Sequence, residues 1–200
     1  MKRLHKKTIY TIITMFIMSA FIVTAYYLVR TSEGITITTK KTEKTQTELL
    51  LEKDINDKYP STPKDVLDLY INISKSMYDR NTTEEQIDKL ASQMLLLFDA
   101  ELIDKNPEES YKINLKREIK DLVDKNIYIM NYVNGDNDKA EFWKKENKEY
   151  ASRIVSYTLK DRSNYTKVYN KFILRRDDNE EWKILGWTNE DSAQLDKTKE

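Results

Sequence analysis

The 200-residue chain has no cysteine and a single histidine, His5. Without a thiol it has no disulfide framework, no thiolate nucleophile and no thiolate metal ligand. With histidine confined to the amino terminus, Ser-His and Cys-His catalytic pairs and His-centred metal sites are excluded from the rest of the chain. Glycine is scarce as well: Gly34, Gly135 and Gly186 form no phosphate-cradling loop. No basic stripe stands out, so no nucleic-acid partner is expected. No catalytic residue, cofactor or metal site is assigned.

Acidic residues are missing from the first thirty positions, and this absence is the most informative. Lys2, Arg3, Lys6 and Lys7 come first, then Thr8 to Val29 carries no charge at all, and Arg30 closes the run. A bilayer core of about 30 Å needs roughly 20 apolar residues of helix, and residues 8–29 meet that length. Tyr26 and Tyr27 stand near the outer end, where amphipathic rings favour the headgroup layer. A cleaved signal peptide has a shorter apolar stretch of about 7–15 residues, so the length favours a retained anchor. The basic inner flank predicts a cytoplasmic amino terminus and an extracytoplasmic remainder, a single-pass protein of the cell membrane whose lipid contact runs through residues 8–29. The richness in Lys, Ile, Asn and Asp suggests a bacterial source with an AT-rich genome.

The whole chain balances 34 basic against 34 acidic residues, so everything after Arg30 is net negative by five. The signs alternate closely, which reads as a solvated mixed surface.

Residues 1–7 thus form a basic tail, 8–29 a span and 30–61 a flexible stalk rich in Thr, Lys, Glu and Gln, in which Leu49, Leu50, Leu51 and Ile55 have the makings of a short helix. Residues 62–189 read as an α+β domain and 190–200 as a polar tail. Thr62-Pro63-Lys64-Asp65 is a helix start, followed by Val66, Leu67, Leu69, Tyr70, Ile73 and Met77 on one broad face. Thr82-Thr83-Glu84-Glu85 reads as a capping box ahead of Ile87, Leu90, Ala91, Met94, Leu95 and Phe98. A third helix starts at Asn106-Pro107, with Tyr111, Leu115, Ile119 and Leu122 at helical spacing. Ile127 to Val133 then reads as a strand ended by the turn Asn134-Gly135-Asp136. A short, helix-like piece is expected around Phe142 and Trp143. Three strands follow, Tyr150–Leu159, Tyr165–Arg175 and Glu181–Thr188, joined by short turns and so paired as antiparallel hairpins. Gly186 marks a bulge or a close approach. Helices packed on one face of an antiparallel sheet is the expected architecture.

Three helices, a short strand and long antiparallel strands closing on Tyr169, Phe172, Leu174, Arg175, Asp177, Asp178 and Trp182-Lys183-Ile184 resemble the nuclear-transport-factor-2-like (SnoaL-like) cone fold. The pattern is also similar to a family of uncharacterised bacterial proteins with one amino-terminal anchor and such a domain. The usual glycine of the last hairpin is here Asn179, which tolerates a left-handed turn. The resemblance implies a curved sheet around a pocket, and that fold hosts many functions. Enzymes on it commonly use an Asp–His or Asp–Tyr–Arg set, and the histidine is lacking here.

Asp99 and Glu101, just past Phe98, are placed to enter a cone mouth or to form an exposed helix end. Asp136 and Asp138 faintly resemble a calcium loop without its terminal acid. The aromatic residues of the strands give the best lead. With Asp99, the pocket candidates are Tyr157, Tyr169, Phe172 and Trp187, against the plainer reading of core and cross-strand pairs. Two functions stay open. One is a non-catalytic binding or assembly module at the cell surface, with an envelope protein or a second copy as partner. The other is an extracytoplasmic enzyme or small-ligand receptor using the cone pocket.

Overall fold

A computed structural model of the chain describes residues 44–135 and 140–190. The basic tail, the span and the first part of the stalk lie outside the described residues, as do Asp136 and Asp138 and the end of the polar tail. Among the described residues no helix is long and apolar enough to cross a membrane. Those residues form five helices, α1 (Gln46–Leu51), α2 (Pro63–Met77), α3 (Glu84–Leu95), α4 (Ala100–Lys105) and α5 (Glu108–Asp124). Five strands follow, β1 (Ile127–Val133), β2 (Glu141–Lys145), β3 (Lys148–Asp161), β4 (Asn164–Arg176) and β5 (Trp182–Glu190). The class is α+β with an antiparallel sheet, as the sequence pattern predicts.

Local chemistry explains where the long helices begin. The Thr62 hydroxyl accepts from Asp65 N at 3.1 Å, and Pro63 occupies the first turn, where no amide is needed. The box at α3 closes on Gln86 rather than an acid: Thr83 Oγ1 accepts from Gln86 N, and Gln86 Oε1 accepts from Thr83 N at 2.9 Å. At α5 the cap position is Pro107, and Asn106 instead ends α4.

The sheet runs β1-β3-β4-β5, all antiparallel, and β2 pairs with β3 beyond the end of β1. The piece around Phe142 and Trp143 is therefore strand, not helix. Its hairpin to β3 turns on Glu146 (φ 51°) and Asn147 (φ 62°), two successive left-handed residues, which is the turn geometry that matches strand twist. Bulges at Met130 and next to Gly186 bend the outer strands. Gly186 thus marks a bulge and no close approach, since a Cβ there would meet nothing within 4 Å. In the last hairpin the left-handed residue is Glu180 (φ 63°), not Asn179.

Along β4 the residues Phe172 and Leu174 are fully buried, and so are Val155 of β3 and Ile184 of β5. They meet Val66, Leu67, Ile71, Ile73 and Met77 from α2 and Leu90 and Met94 from α3 in one core. Each such side chain contributes about 1.5–3 kcal/mol of burial. The stretch Leu97–Asp99 extends the sheet past β5: Ile184 N donates to Leu97 O at 2.8 Å, and Asp99 N donates to Ile184 O at 2.9 Å. At the opposite end Arg153 is buried on β3 and donates through Nε to Asn134 Oδ1 at 3.1 Å, while Asn134 Nδ2 donates to Lys64 O at 2.9 Å and so ties the sheet to the start of α2.

The described residues of the segment expected to be stalk up to residue 61 are structured, with α1 over Gln46–Leu51. Leu50 and Ile55 enter the same core. Gln93 Nε2 donates to Leu50 O at 3.0 Å, and Tyr59 donates its hydroxyl to Trp182 O at 2.9 Å. Polar neighbours dilute the average composition of this stretch, but a few apolar side chains at helical spacing are enough to dock it.

Candidate functional site

Two helices and the sheet leave a space between them. On α2 and its C-cap the residues Tyr70, Ser74, Met77 and Tyr78 repeat at helical spacing along one face. On α5 the same rule aligns Tyr111, Leu115, Glu118 and Leu122. Across from them, inward positions of the strands supply Ile129, Tyr157, Leu159, Val168, Asn170 and Trp187. Together they line a half-open cavity of about 280 Å³.

Phe172 forms the floor beside this space. It is fully buried, 5.5 Å from the Tyr70 ring and 5.7 Å from the Trp187 ring. Tyr111 packs edge-on against Phe98 at 5.6 Å and donates its hydroxyl to Met94 Sδ at 2.9 Å. Ser74 is already engaged, donating to Tyr70 O at 2.9 Å. Tyr78 donates to Glu118 Oε1 at 3.1 Å on the exposed rim.

Two polar atoms in the wall have no partner from the protein. They are the Tyr157 hydroxyl and Asn170 Oδ1. Tyr157 is only 7% exposed. A buried polar atom left without a hydrogen bond costs about 1–3 kcal/mol, so two on one wall is an unusual arrangement. Burial pushes the phenols of Tyr70, Tyr78, Tyr111 and Tyr157 well above their ordinary value. The Glu118 carboxylate adds to the rise at Tyr70, Tyr78 and Tyr111. At neutral pH all four are hydroxyl donors. Glu118 is the one charged residue of the wall, which carries no Lys, Arg or His. The arrangement can enclose an apolar body and hydrogen-bond its polar end. The one wall hydroxyl that meets a carboxylate is Tyr78, at Glu118, and burial together with that carboxylate holds its phenol well above the ordinary value, so it stays protonated.

The five expected pocket residues separate. Tyr157 and Trp187 line the cavity, and Phe172 lies beneath it as core. Tyr169 falls on the other face of β4, because its neighbours Val168 and Asn170 take the inward positions and side chains alternate along a strand. There its ring lies 5.4 Å from Lys167 Nζ.

Asp99 is neither in the cavity nor exposed. It is 3% exposed, caps α4 by accepting from Glu101 N at 2.9 Å, and holds Arg175 through two bonds along one edge of the guanidinium, Nε to Oδ2 at 2.9 Å and Nη2 to Oδ1. It is a structural ion pair across β5. Glu101 sits on the exposed side, 3.4 Å from Arg175 Nη1. Among the described residues no cluster of three acidic, His or Cys side chains is placed to hold a metal ion.

Sequence reasoning missed Tyr78, Glu118 and Asn170 altogether. It placed Tyr70 and Tyr111 on apolar helix faces and saw them only as core. The signal for Asn170 was present, a polar residue at an inward strand position between Val168 and Phe172.

The chain belongs to the family described as Domain of unknown function (DUF6715), whose model matches residues 1–187. No curated protein matches it.

Proposed function

We propose that this chain is a membrane-tethered, extracytoplasmic binding module that takes a small ligand into the cavity between α2, α5 and the sheet without transforming it. The cavity carries the reading: a half-open aromatic space of about 280 Å³ with two unpartnered polar atoms in its wall. Protein interiors are close-packed, and concave apolar sites with a few convergent polar groups are where small molecules bind. The one hydroxyl–carboxylate pair of the wall, Tyr78 with Glu118, keeps its phenol protonated through burial, which supports binding over catalysis. The tether rests on the uncharged run 8–29 with its basic inner flank, and the family pattern extends over that run and the folded unit together. In this reading the α+β body is a nuclear-transport-factor-2-like cone, its helices closing one face of the sheet.

Two measurements test the proposal. An amine reagent that cannot cross lipid should modify exposed lysines such as Lys89 and Lys120 in intact cells; protection until the cells are broken would remove the topology. Xenon NMR should show saturable uptake of the gas, abolished by Val168→Trp, which fills the space. No uptake by the parent chain would remove the cavity reading.

A second reading, recruitment of an envelope protein or a second copy, is favoured by Trp143 and Ile154, about two-fifths exposed on the outer sheet face beside the Trp143–Tyr150 stack at 5.5 Å. Cross-linking in intact cells through a photoreactive residue at position 154 tests it, and recovery of the chain alone counts against it.

A further inference from the structure

The choice of ligand rests on the cavity being a binding site, and the chemistry of the wall narrows that choice. Tyr157 and Asn170 stand on adjacent strands. Tyr157 pairs with Val168, and Asn170 lies two residues further along β4 on the same face. Such diagonal neighbours are roughly 7–8 Å apart at the backbone, and both side chains line the same cavity. The Tyr157 hydroxyl offers a proton and a lone pair, and Asn170 Oδ1 offers a lone pair. A group that both donates and accepts satisfies the two at once.

Charge selects further. The sheet side of the wall has neither a cation nor an anion. An anionic ligand would be desolvated with no counter-charge, which is costly. A cationic one would find a carboxylate only at Glu118, on the exposed rim and already accepting from Tyr78. The rest of the wall is aromatic and aliphatic, and a space of about 280 Å³ exceeds the ~150 Å³ that accepts benzene.

We infer that the cavity binds an uncharged molecule of about one aromatic ring, whose single polar end is a hydroxyl or amide held between Tyr157 and Asn170.

A matched series tests this: benzyl alcohol, benzoate and benzylammonium, with toluene as the ligand lacking a polar end. The chain carries three tryptophans, Trp143, Trp182 and Trp187, and only Trp187 faces the cavity. Full-length protein labelled with fluorotryptophan in phosphatidylcholine nanodiscs therefore reports binding as a shift of the Trp187 fluorine resonance, assigned with Trp187→Phe. The other two resonances serve as controls for lipid partitioning. Benzyl alcohol should bind at least about tenfold more tightly than either ion. Tyr157→Phe should weaken it about three- to tenfold, the size of one net hydrogen bond, and leave toluene unchanged. Tighter binding of benzoate or benzylammonium would overturn the inference while keeping the cavity as a binding site. Equal loss of toluene and benzyl alcohol in Tyr157→Phe would also overturn it. Failure of all four ligands to move the Trp187 resonance would remove the cavity reading itself.

Discussion

Removing the Asp99 carboxylate should cost far more than an ordinary acidic residue would. The two side chains of the pair are 4% and 17% exposed, so the interaction lies mostly out of water. Asp99→Ala removes three things: the cap on Glu101 N, the two-point hold on Arg175, and the only deeply placed counter-charge of that guanidinium. Loss of a helix cap costs about 1 kcal/mol. Breaking a buried ion pair costs about 3–5 kcal/mol, and the partial exposure of Arg175 puts this one at the lower end. The sum is about 4 kcal/mol. Asp99→Asn keeps an oxygen for the cap and should lose about 2 kcal/mol. Arg175→Met strands a buried carboxylate and should lose about 2–3 kcal/mol. The double variant Asp99→Asn with Arg175→Met leaves no unpaired charge and should lose much less than the sum, with a coupling of about 2 kcal/mol. Urea unfolding of the unit from Lys44 onward, followed by tryptophan fluorescence, gives all four numbers, provided the slope with denaturant stays constant. A coupling within about 0.5 kcal/mol of zero would refute the reasoning, because that is the value of a solvated surface pair.

Ile55→Ala, in the segment that composition reads as stalk, should destabilise the unit by about 2–4 kcal/mol in the same assay, since Ile55 is 2% exposed. An effect below about 0.5 kcal/mol would detach residues 44–61 from the core. Tyr59, Tyr70, Tyr78, Tyr111 and Tyr157 all hold their phenols above the ordinary 10.0, chiefly through burial. The folded state therefore keeps protons that the unfolded chain releases. Stability is full below about pH 10 and falls as pH rises beyond it, by about 1.4 kcal/mol per pH unit for each phenol. Tyrosinate absorbance of the buried set should rise only together with unfolding, and a smooth titration of all phenols before it would contradict this. Glu180→Gly should raise stability by about 0.5–1 kcal/mol, because Glu180 sits at φ 63° and its ion pair to Arg176 is exposed. A lowered thermal midpoint would count against it.

Helices α2 and α3 are legible because their signals are local. Thr62-Pro63 and Thr83 through Gln86 satisfy amides within one turn, and the apolar stripe follows at once. The six-residue α4 is not legible, since one turn and a half is too short to display a period, and its cap Asp99 reads equally as a free acid. β2 was hidden for a different reason: its hairpin turns on Glu146-Asn147, without the glycine that usually announces such a turn. The candidate site was half legible. Period-two alternation places Tyr157 and Trp187 on strands, but it also separates Tyr169 from Asn170, and only the sheet register decides which faces inward. Tyr70, Tyr78 and Tyr111 sit in helical stripes that look like filled core. Whether a stripe of tyrosines fills a space or walls one depends on how far two helices stand from a sheet, and no local pattern carries that distance.

A binding site and a packing defect differ in how stability and affinity respond to a change in the wall. Helix α5 is held by a short apolar face and by polar contacts along its sides. It buries only Leu115 and Ile119, while Lys116 reaches Asp88 of α3 at 2.6 Å and Glu118 takes the Tyr78 hydroxyl. At its end Asn126 adopts φ 62° and accepts from Arg80. Beside those contacts the pocket is lined but not filled by the protein. Asn170→Leu removes an unpartnered polar atom and adds apolar volume to the wall. If the space exists to receive a ligand, the variant should unfold about 1 kcal/mol later in urea and bind benzyl alcohol at least about fivefold more weakly. Opposite signs mark groups kept for binding at the expense of stability. If stability falls, Asn170 is part of the packing; if affinity stays unchanged, the space around it is a defect that the ligand does not use.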